Sequence, residues 1–399
     1  MSSSFNADQN SSAPPCIEWT ENEQNFSAPW RSKSALPAPK RVVIADDRLT
    51  ADSAYRLACE GTALLWRGDF QNARQLLQAM ARRADRKQRA PATTPIDAFN
   101  QHRQVQSQRA RILAMLLLQF GPGHQLDLRR APDVSAACND AYGYDEIGYV
   151  ASLRELLGVI GSHEWRKNGI EIAALKERIF PHYGVFAPIR NEYVALVAQA
   201  PLNKVRVAFD IGTGTGVLAA VLARRGVSQI IGTDQDQRAL ACARQTVAHL
   251  ALQEQITIIE ADLFPEGRAQ LIVCNPPWLP ARPSSPLEFA VYDPGSAMLR
   301  GFLQGLAAHL TPGGEGWLIL SDLAEHLGLR SRAELRAWIQ AAGLTVIDRT
   351  DVRPTHPKAA DANDPLHQAR AAEITSLWRL GVASENGIGL VPTDGREVK

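Results

Sequence analysis

From Val205 onward the sequence alternates between short apolar runs and amphipathic stretches, and this alternation constrains the fold more than any other feature. It indicates an α/β domain with a mainly parallel sheet covered by helices on both faces. The predicted strands are 205–210, 229–233, 256–260, 270–274, 315–321, 344–350 and 373–380. The predicted helices are 216–225, 236–251, 296–310 and 331–342. No helix is evident between the last two strands, and parallel neighbours need a crossover, so that pair is expected to be antiparallel.

The region before the alternation predicts a helical domain at residues 41–165. Apolar residues recur there with helical spacing, first at Leu57, Leu64, Leu65 and Trp66 and then at Phe70, Ala73, Leu76, Leu77 and Met80. Asp69 is a suitable N-cap for the second stripe. Further helices are expected at 98–120 and 149–160, because a glycine follows each of these stretches.

The other boundaries follow from composition. Residues 1–40 are rich in Ser, Pro, Asn and Ala and predict a disordered arm. Residues 166–204 are interpreted as a connector, and 205–385 as the domain that carries the sheet. Residues 386–399 are expected to form a flexible tail.

The overall net charge of +1 hides a local asymmetry. Residues 40–130 hold 16 Lys+Arg against 8 Asp+Glu, and their densest basic run is 82–89. Such a run suits a phosphate backbone, but it suits a solvated helix end equally well. The charge balance excludes a chain that is basic throughout, and it leaves nucleic-acid binding by the helical domain open.

The cysteines and the N-terminus predict the compartment. The five cysteines are scattered and none forms a C-x-x-C pair, which argues against a zinc ribbon and fits a reducing cytoplasm. The first residues lack the pattern of a signal peptide, and the longest aliphatic run, 112–118, is too short to span a bilayer. We therefore expect a cytoplasmic protein with no membrane segment and no metal site.

A glycine-rich turn, Asp-Ile-Gly-Thr-Gly-Thr-Gly at 210–216, follows the first predicted strand. Ligands of open α/β sheets bind at the carboxyl ends of the strands, and glycines there let the backbone approach them closely. The spacing departs from a dinucleotide fingerprint, whose third glycine would fall at Val217. Asp210 would repel a pyrophosphate, so the turn favours a cationic ligand such as an amino group or a sulfonium.

Acidic residues follow two further strands. The second strand ends at Asp234, which can accept hydrogen bonds from a ribose diol or cap the next helix. The third is followed by Asp262 and Leu263, which suit an adenine amino group and its ring, although an exposed turn is the simpler interpretation of Asp262. Acids at three successive strand ends favour one ligand that contacts all three.

The fourth predicted strand ends in the turn Asn275-Pro276-Pro277-Trp278. The prolines fix their φ angles and leave their carbonyl groups free to accept hydrogen bonds. Asn275 adds a side-chain carbonyl, and the indole ring adds a π-face. Together they predict a receptor for a planar amino group, and the alternative is a rigid turn beside a core tryptophan.

These features together resemble the class I S-adenosylmethionine-dependent N-methyltransferases, through the turn at 210–216, Asp234, Asp262 and the Asn-Pro-Pro-Trp turn. The pattern is most similar to the branch that contains release-factor glutamine methyltransferases and small-domain ribosomal-RNA base methyltransferases. The resemblance covers about residues 180–380. It implies a Rossmann-like, seven-stranded sheet with an antiparallel final hairpin, preceded by a helical domain.

The resemblance also implies a role for each matching residue. The cofactor S-adenosylmethionine would be bound by Asp210, Gly212, Thr213, Gly214, Gly216, Asp234, Gln235, Asp262 and Leu263. The acceptor nitrogen would be oriented and stacked by Asn275, Pro276, Pro277 and Trp278, and Trp278 stands where glutamine methyltransferases commonly carry tyrosine. The stretch that closes over the cofactor would include Phe186, Pro188 and Glu192.

The sequence therefore predicts methyl transfer to a planar amino or amide nitrogen of a macromolecule. The acceptor is expected to be a nucleic-acid base, such as one in ribosomal RNA, or a glutamine of a translation protein. A small-metabolite N-methyltransferase is an alternative, against which the basic segment argues mildly. A non-catalytic module that binds S-adenosylmethionine is another, against which the intact Asn-Pro-Pro-Trp turn argues.

Overall fold

The computed structural model describes residues 15–86, 91–283, 288–354, 361–362, 364–383 and 396–397. The chain divides into two compact units. The first unit comprises Met1–Gln88 and Gln108–Ile160, and the second comprises Arg89–Ser107 and Gly161–Lys399. Arg89–Ser107, which the sequence assigns to the helical domain, thus belongs to the unit with the large sheet.

The first unit contains a sheet, so the prediction of a helical domain at 41–165 is wrong. The strands of this part of the chain are β1 (Cys16–Glu21), β2 (Gln24–Pro29), β3 (Arg41–Ala45), β4 (Thr62–Trp66), β5 (Leu116–Phe120) and β6 (Tyr149–Ser152). The helices are α1 (Ala51–Cys59), α2 (Phe70–Asp85), α3 (Pro95–Leu113), α4 (Ser135–Tyr142) and α5 (Leu153–Asn168). The sheet has the order β3-β4-β5-β6, in which β3, β4 and β5 are parallel and β6 is antiparallel to β5.

The burial of β4 explains why the apolar spacing was misleading. Every residue of this strand is buried, so Leu64, Leu65 and Trp66 form a continuous apolar run with no polar alternation. Gly61, with a φ of +79°, lies in the turn that separates the strand from α1. The buried strands β5 and β6 were likewise included in predicted helices. In contrast, α2 follows its stripe, and the Asp69 side chain caps it by accepting from the Gln71 backbone N–H at 2.8 Å.

The prediction of a disordered arm is wrong for residues 15–40. There β1 and β2 pair as an antiparallel hairpin. Ile17 and Trp19 are buried and alternate with exposed residues, and they pack with Trp30 in one apolar core. Polar composition therefore hid a short amphipathic strand. Residues 1–14 and most of the predicted tail lie outside the described residues.

The second unit is built on an eight-stranded sheet. A separate hairpin of two strands precedes this sheet in the chain and is formed by β7 (Ile170–Ile172) and β8 (Glu177–Ile179). The strands of the large sheet are β9 (Val207–Ile211), β10 (Gln229–Asp234), β11 (Ile256–Glu260), β12 (Ala269–Cys274), β13 (Leu310–Ser321), β14 (Leu344–Val352), β15 (Thr375–Val382) and β16 (Arg396–Glu397). The helices of this unit are α6 (Glu192–Gln199), α7 (Val217–Arg224), α8 (Gln237–His249), α9 (Ala297–His309), α10 (Leu323–His326), α11 (Arg332–Ala341) and α12 (His367–Ala372). All strands and helices predicted after Val205 are found, and the largest difference in their bounds is that β13 begins at Leu310. The sheet has one strand more than the seven predicted, β16, and α12 lies between β14 and β15, where no helix was expected.

The strand order is β11-β10-β9-β12-β13-β15-β14-β16, which confirms the Rossmann-like α/β prediction. The strands from β11 to β13 are parallel, and β15 is antiparallel to both β13 and β14, as predicted for the final pair. The chain moves outward from β9 to β10 and then returns to place β12 on the other side of β9. The topological switch point therefore lies between β9 and β12, where open α/β sheets bind their ligands.

Alternating side chains of the central strands enter two cores, one on each face of the sheet. In β12, Leu271 and Val273 belong to one core and Ile272 and Cys274 to the other. The first core also contains residues of α6, α7 and α8, and the second contains residues of α9 and α11. Burial on both faces fixes the strand register, and the register sets where each strand ends. Among the described residues, no helix is long and apolar enough to cross a membrane.

Candidate functional site

The two turns singled out in the sequence begin side by side at the switch point. Ile211, the last residue of β9, is paired with Cys274, the last residue of β12. The glycine turn starts after the first and the Asn-Pro-Pro-Trp turn after the second. A cavity of about 410 Å³ opens there. Nine of the predicted site residues line it: Phe186, Gly212, Thr213, Gly214, Asp234, Asn275, Pro276, Pro277 and Trp278.

The glycine turn requires glycine for both conformation and space. Gly212 has a φ of +68°, and a Cβ there would lie 2.6 Å from the Met298 Cε. Gly216 has a φ of +77° at the N-cap of α7, and its Cβ would lie 3.3 Å from the Ala243 Cα. Gly216 does not line the cavity, so its contribution is to let α7 begin directly after the turn.

Asp210 lies beneath this turn and does not line the cavity. Its side chain is buried and accepts hydrogen bonds from the Thr213 hydroxyl at 2.7 Å and the Ala219 backbone N–H at 3.1 Å. Burial raises the pKa of Asp210 to about 6, against the lowering effect of these two hydrogen bonds. The nearby charge of Asp234 raises this pKa further. Asp210 therefore acts on the cavity through the turn and through its electric field.

Asp234 lines the cavity and also holds the turn. One carboxylate oxygen accepts from the Gly214 backbone N–H at 3.0 Å, and the other accepts from the Asp236 backbone N–H at 3.0 Å. Burial raises the pKa of Asp234 despite these bonds. Within the described residues, neither Asp210 nor Asp234 forms an ion pair. The carboxylates of Asp210, which is buried, and Asp234, which is half-buried, thus give this end of the cavity an electrostatic preference for a cation.

The residues predicted to bind adenine lie outside the cavity lining. Asp262 is exposed and accepts a hydrogen bond from the Gln235 side-chain amide. The Leu263 backbone carbonyl accepts from the Thr233 hydroxyl at 2.6 Å, and Leu263 has a φ of +68°. These contacts join the ends of β10 and β11, and the adenine-binding role of Gln235, Asp262 and Leu263 stays a prediction.

The Asn-Pro-Pro-Trp turn is stiff and internally hydrogen bonded. The Asn275 side-chain oxygen accepts from the Trp278 indole N–H at 2.9 Å. Pro276 is buried, and Trp278 is half-buried and packs against the cores on both faces of the sheet. A carbonyl oxygen has two lone pairs, so Asn275 retains one for a further donor.

The stretch predicted to close over the cofactor contributes a residue that the sequence did not single out. Phe186 lines the cavity with 40% of its surface exposed, whereas Pro188 and Glu192 do not line it. Arg190 lines it instead, lies 3.5 Å from a Glu192 carboxylate oxygen, and donates to the buried Glu373 at 3.2 Å. Its position between two predicted residues, Pro188 and Glu192, is the signal by which the sequence could have identified Arg190.

No residue of the wall beyond the Asn-Pro-Pro-Trp turn was singled out in the sequence. This wall includes Phe289, Tyr292, Leu323 and Arg370. The Arg103 guanidinium, on α3, lies 4.1 Å from the centre of the Tyr292 ring. Arg370 lies on α12, in a part of the chain where the sequence has no helical periodicity, so its position depends on tertiary packing.

Comparison with known proteins confirms the resemblance that the motifs predict. Residues 178–336 match the family model described as the methyltransferase small domain. The release factor glutamine methyltransferase of Cereibacter sphaeroides is 31% identical over 196 residues, which are 45% of this chain and 65% of that protein. The tRNA1(Val) (adenine(37)-N6)-methyltransferase of Aeromonas salmonicida is 35% identical over 138 residues, which are 33% of this chain and 58% of that protein.

The chain thus spans less than two thirds of the length of these two relatives. Among solved structures, a methyltransferase from Pyrococcus furiosus is similar with a TM-score of 0.40 and 17% identity. That similarity covers 55% of this chain and 96% of the other.

Proposed function

We propose that the protein transfers the methyl group of S-adenosylmethionine to a planar amino or amide nitrogen of a macromolecule. The observation that carries the proposal is that the glycine turn, Asp234 and the Asn-Pro-Pro-Trp turn all line one cavity of about 410 Å³. Residues suited to the cofactor and residues suited to the acceptor therefore share one space.

The cofactor end of the cavity fits S-adenosylmethionine in charge and shape. Burial raises the pKa of both Asp210 and Asp234, so a cationic ligand there relieves an unfavourable charge pair. At Gly214, which lines the cavity, the nearest atom to an added Cβ would be the Gly212 carbonyl oxygen at 3.9 Å, so the backbone there is open to close approach. Arg190 supplies a cation for the carboxylate of the methionine part. When bound, S-adenosylmethionine supplies an electrophilic methyl group on its sulfonium.

The acceptor end holds and activates a nitrogen. The Asn275 side-chain oxygen, through its remaining lone pair, and the Pro276 backbone carbonyl accept hydrogen bonds from the two N–H groups of the acceptor nitrogen. This arrangement localises a lone pair that is otherwise delocalised into the adjoining carbonyl or aromatic ring, and it fixes the direction of attack. The turn is stiff and partly buried, so these carbonyl dipoles need little reorganisation during the reaction. After transfer the nitrogen carries a positive charge and readily loses a proton to solvent, so we assign no strong general base.

The acceptor class rests on the relatives and on the charge distribution. The two relatives described above are named for a protein glutamine and a tRNA adenine, which both present a planar nitrogen within a macromolecule. Within the first unit, Arg83 of the basic run pairs with Asp52 at 2.6 Å, and the acid of the run, Asp85, pairs with Arg109 at 2.9 Å. Residues 87–89 of that run lie outside the described part of the chain.

A labelling experiment tests the proposed function. The protein is incubated with S-adenosylmethionine that carries a radioactive methyl group and with a lysate of cells that lack its gene. The lysate is then separated into RNA, DNA, protein and small molecules. We expect label in one macromolecular fraction, and that fraction names the acceptor class. Label in small molecules alone would support the metabolite alternative, and binding without any label would support a non-catalytic module.

The raised pKa of Asp210 predicts that cofactor affinity depends on pH. An ionised Asp210 favours a cationic ligand, and its pKa is raised to about 6. Below that pH the carboxyl must lose a proton before binding, so affinity is expected to fall about tenfold per pH unit. Above it affinity should level off. Calorimetry with S-adenosylmethionine between about pH 5 and pH 8 measures this profile.

Two variants test whether Asp210 is the group that produces this pH dependence. Asp210→Asn removes the titrating group and is expected to flatten the profile at weaker affinity. Asp236→Asn is the control, because Asp236 is another carboxylate at this end of the cavity, which it lines although Asp210 does not, and because hydrogen bonds from Arg238 outweigh the effect of burial and lower its pKa. An Asp210→Asn profile as steep as that of the unmodified protein would assign the titration to another group.

A further inference from the structure

The hydrogen bond inside the Asn-Pro-Pro-Trp turn gives Trp278 a second function. Its indole Nε1–H points at the Asn275 side-chain oxygen at 2.9 Å, and both residues line the cavity. The sequence had assigned Trp278 only to stacking on the acceptor. Because one edge of the indole is bonded to Asn275, the ring and the amide form one unit.

The chemistry of the indole decides which amide atom faces it. An asparagine side chain can turn over and exchange its oxygen and NH₂ group, because the two ends have similar shape. Indole N–H is only a donor, so it bonds the oxygen and repels the NH₂ group. Trp278 therefore holds the Asn275 oxygen in one place and leaves its second lone pair available.

The alternative orientation would prevent the proposed reaction. With the amide turned over, the NH₂ group of Asn275 would occupy the position of its oxygen. An NH₂ group there cannot accept a hydrogen bond from the acceptor nitrogen, and its hydrogens would repel the hydrogens of the acceptor. The orientation of one side-chain amide thus decides whether the turn receives an amino group.

We propose that Trp278 is a positioning residue that locks the Asn275 amide with its oxygen toward the acceptor. This inference rests on the proposed function, because it describes how the acceptor end is set. Phenylalanine at this position would keep an aromatic face but would lose the hydrogen bond that holds the Asn275 amide in this orientation. The rigid prolines between the two residues and the packing of Trp278 against both cores hold the indole in place.

The first arm of the test measures the hydrogen bond without any acceptor. The chain has eight tryptophans, and the indole signal of Trp278 in a proton–nitrogen spectrum is assigned from its loss in Trp278→Phe. We expect Asn275→Ala to shift this indole proton upfield, because its acceptor is removed. An unchanged Trp278 signal would overturn the proposed lock.

The second arm measures methyl transfer to the macromolecular fraction that the unmodified protein labels. We expect Trp278→Phe to lower kcat about tenfold, the order of one lost neutral hydrogen bond, with cofactor affinity unchanged. Replacing Trp278 by benzothienylalanine, whose sulfur takes the place of the N–H at nearly constant shape, should give a similar loss. This second variant covers the case in which phenylalanine disturbs packing.

A matched control separates the effect of the Trp278–Asn275 hydrogen bond from the general effect of losing an indole hydrogen bond. Trp317 also donates through its indole, to Glu315 at 3.0 Å, and it does not line this cavity. Trp317→Phe is expected to lower stability and leave kcat near normal. Full kcat in both Trp278 variants would overturn the positioning role alone. If the unmodified protein labels nothing, the proposed function fails and the positioning role fails with it, whatever the spectrum shows.

Discussion

Asn275→Ala is expected to abolish methyl transfer while S-adenosylmethionine binds as before. The side-chain oxygen is the acceptor group that receives and orients the nitrogen, and alanine leaves only the Pro276 carbonyl. Loss of one preorganised polar group in an active site typically costs about 100-fold to 1,000-fold in kcat. The rate of label transfer to the macromolecular fraction measures the loss, and calorimetry measures cofactor affinity.

Asn203→Ala is the matched control for that variant. Asn203 is exposed and lines a different, smaller cavity of about 210 Å³ that also includes Gln270 and Trp317. Its replacement is expected to leave both transfer and cofactor binding near normal. Near-normal turnover in Asn275→Ala would contradict the mechanism, because no other side chain was assigned to hold the acceptor nitrogen. A parallel loss of cofactor affinity would instead point to collapse of the whole turn.

The sheet of the second unit could be predicted because the residue that follows each apolar run shows where the strand ends. Each apolar run of a buried parallel strand stops at a glycine, an asparagine or an acidic residue, as β9 stops before Gly212 and β12 before Asn275. Parallel strands bring these ends to one edge, so residues far apart in sequence could be assigned to one site. Pairing of Ile211 with Cys274 then sets the two turns side by side.

The first unit was misread for a related reason. A strand buried on both faces has no polar alternation, and periodicity alone cannot separate it from a buried helix segment. β4 is such a strand, and its five residues were absorbed into a helical stripe. Length was the better criterion, because the run between Gly61 and Arg67 is far shorter than a typical helix.

The rest of the site depends on packing that no local pattern reveals. Arg190, Tyr292 and Arg370 reach the cavity from three separate segments, and only the first lies in a stretch that resembles a known motif. Asp210 shows the opposite case, a motif residue that does not line the cavity. Its position in the motif suggested direct contact with a ligand, but its side chain lies beneath the turn. The motif therefore brought Asp210 to the edge of the cavity but did not specify which atoms line it.

Asp234→Ala is expected to weaken S-adenosylmethionine binding by about 100-fold or more. The variant loses the carboxylate predicted to accept from the ribose hydroxyls, and each hydrogen bond to a charged group contributes about 1.5–3 kcal/mol. It also loses the acceptor that holds the Gly214 backbone N–H at 3.0 Å, so the glycine turn becomes less ordered. Calorimetry measures the affinity, and thermal unfolding measures the fold.

The free protein should survive this change, because burial raises the pKa of Asp234, which means that ionising this carboxyl costs more in the folded protein than in the unfolded chain. Glu260→Ala is the matched control. Glu260 is paired with Asp234 at the end of the neighbouring strand, accepts from the Gln237 side chain at 2.6 Å, and does not line the cavity. We expect that variant to bind the cofactor normally. Equal affinity in Asp234→Ala and the unmodified protein would restrict Asp234 to holding the turn, and the ribose would then need a different acceptor.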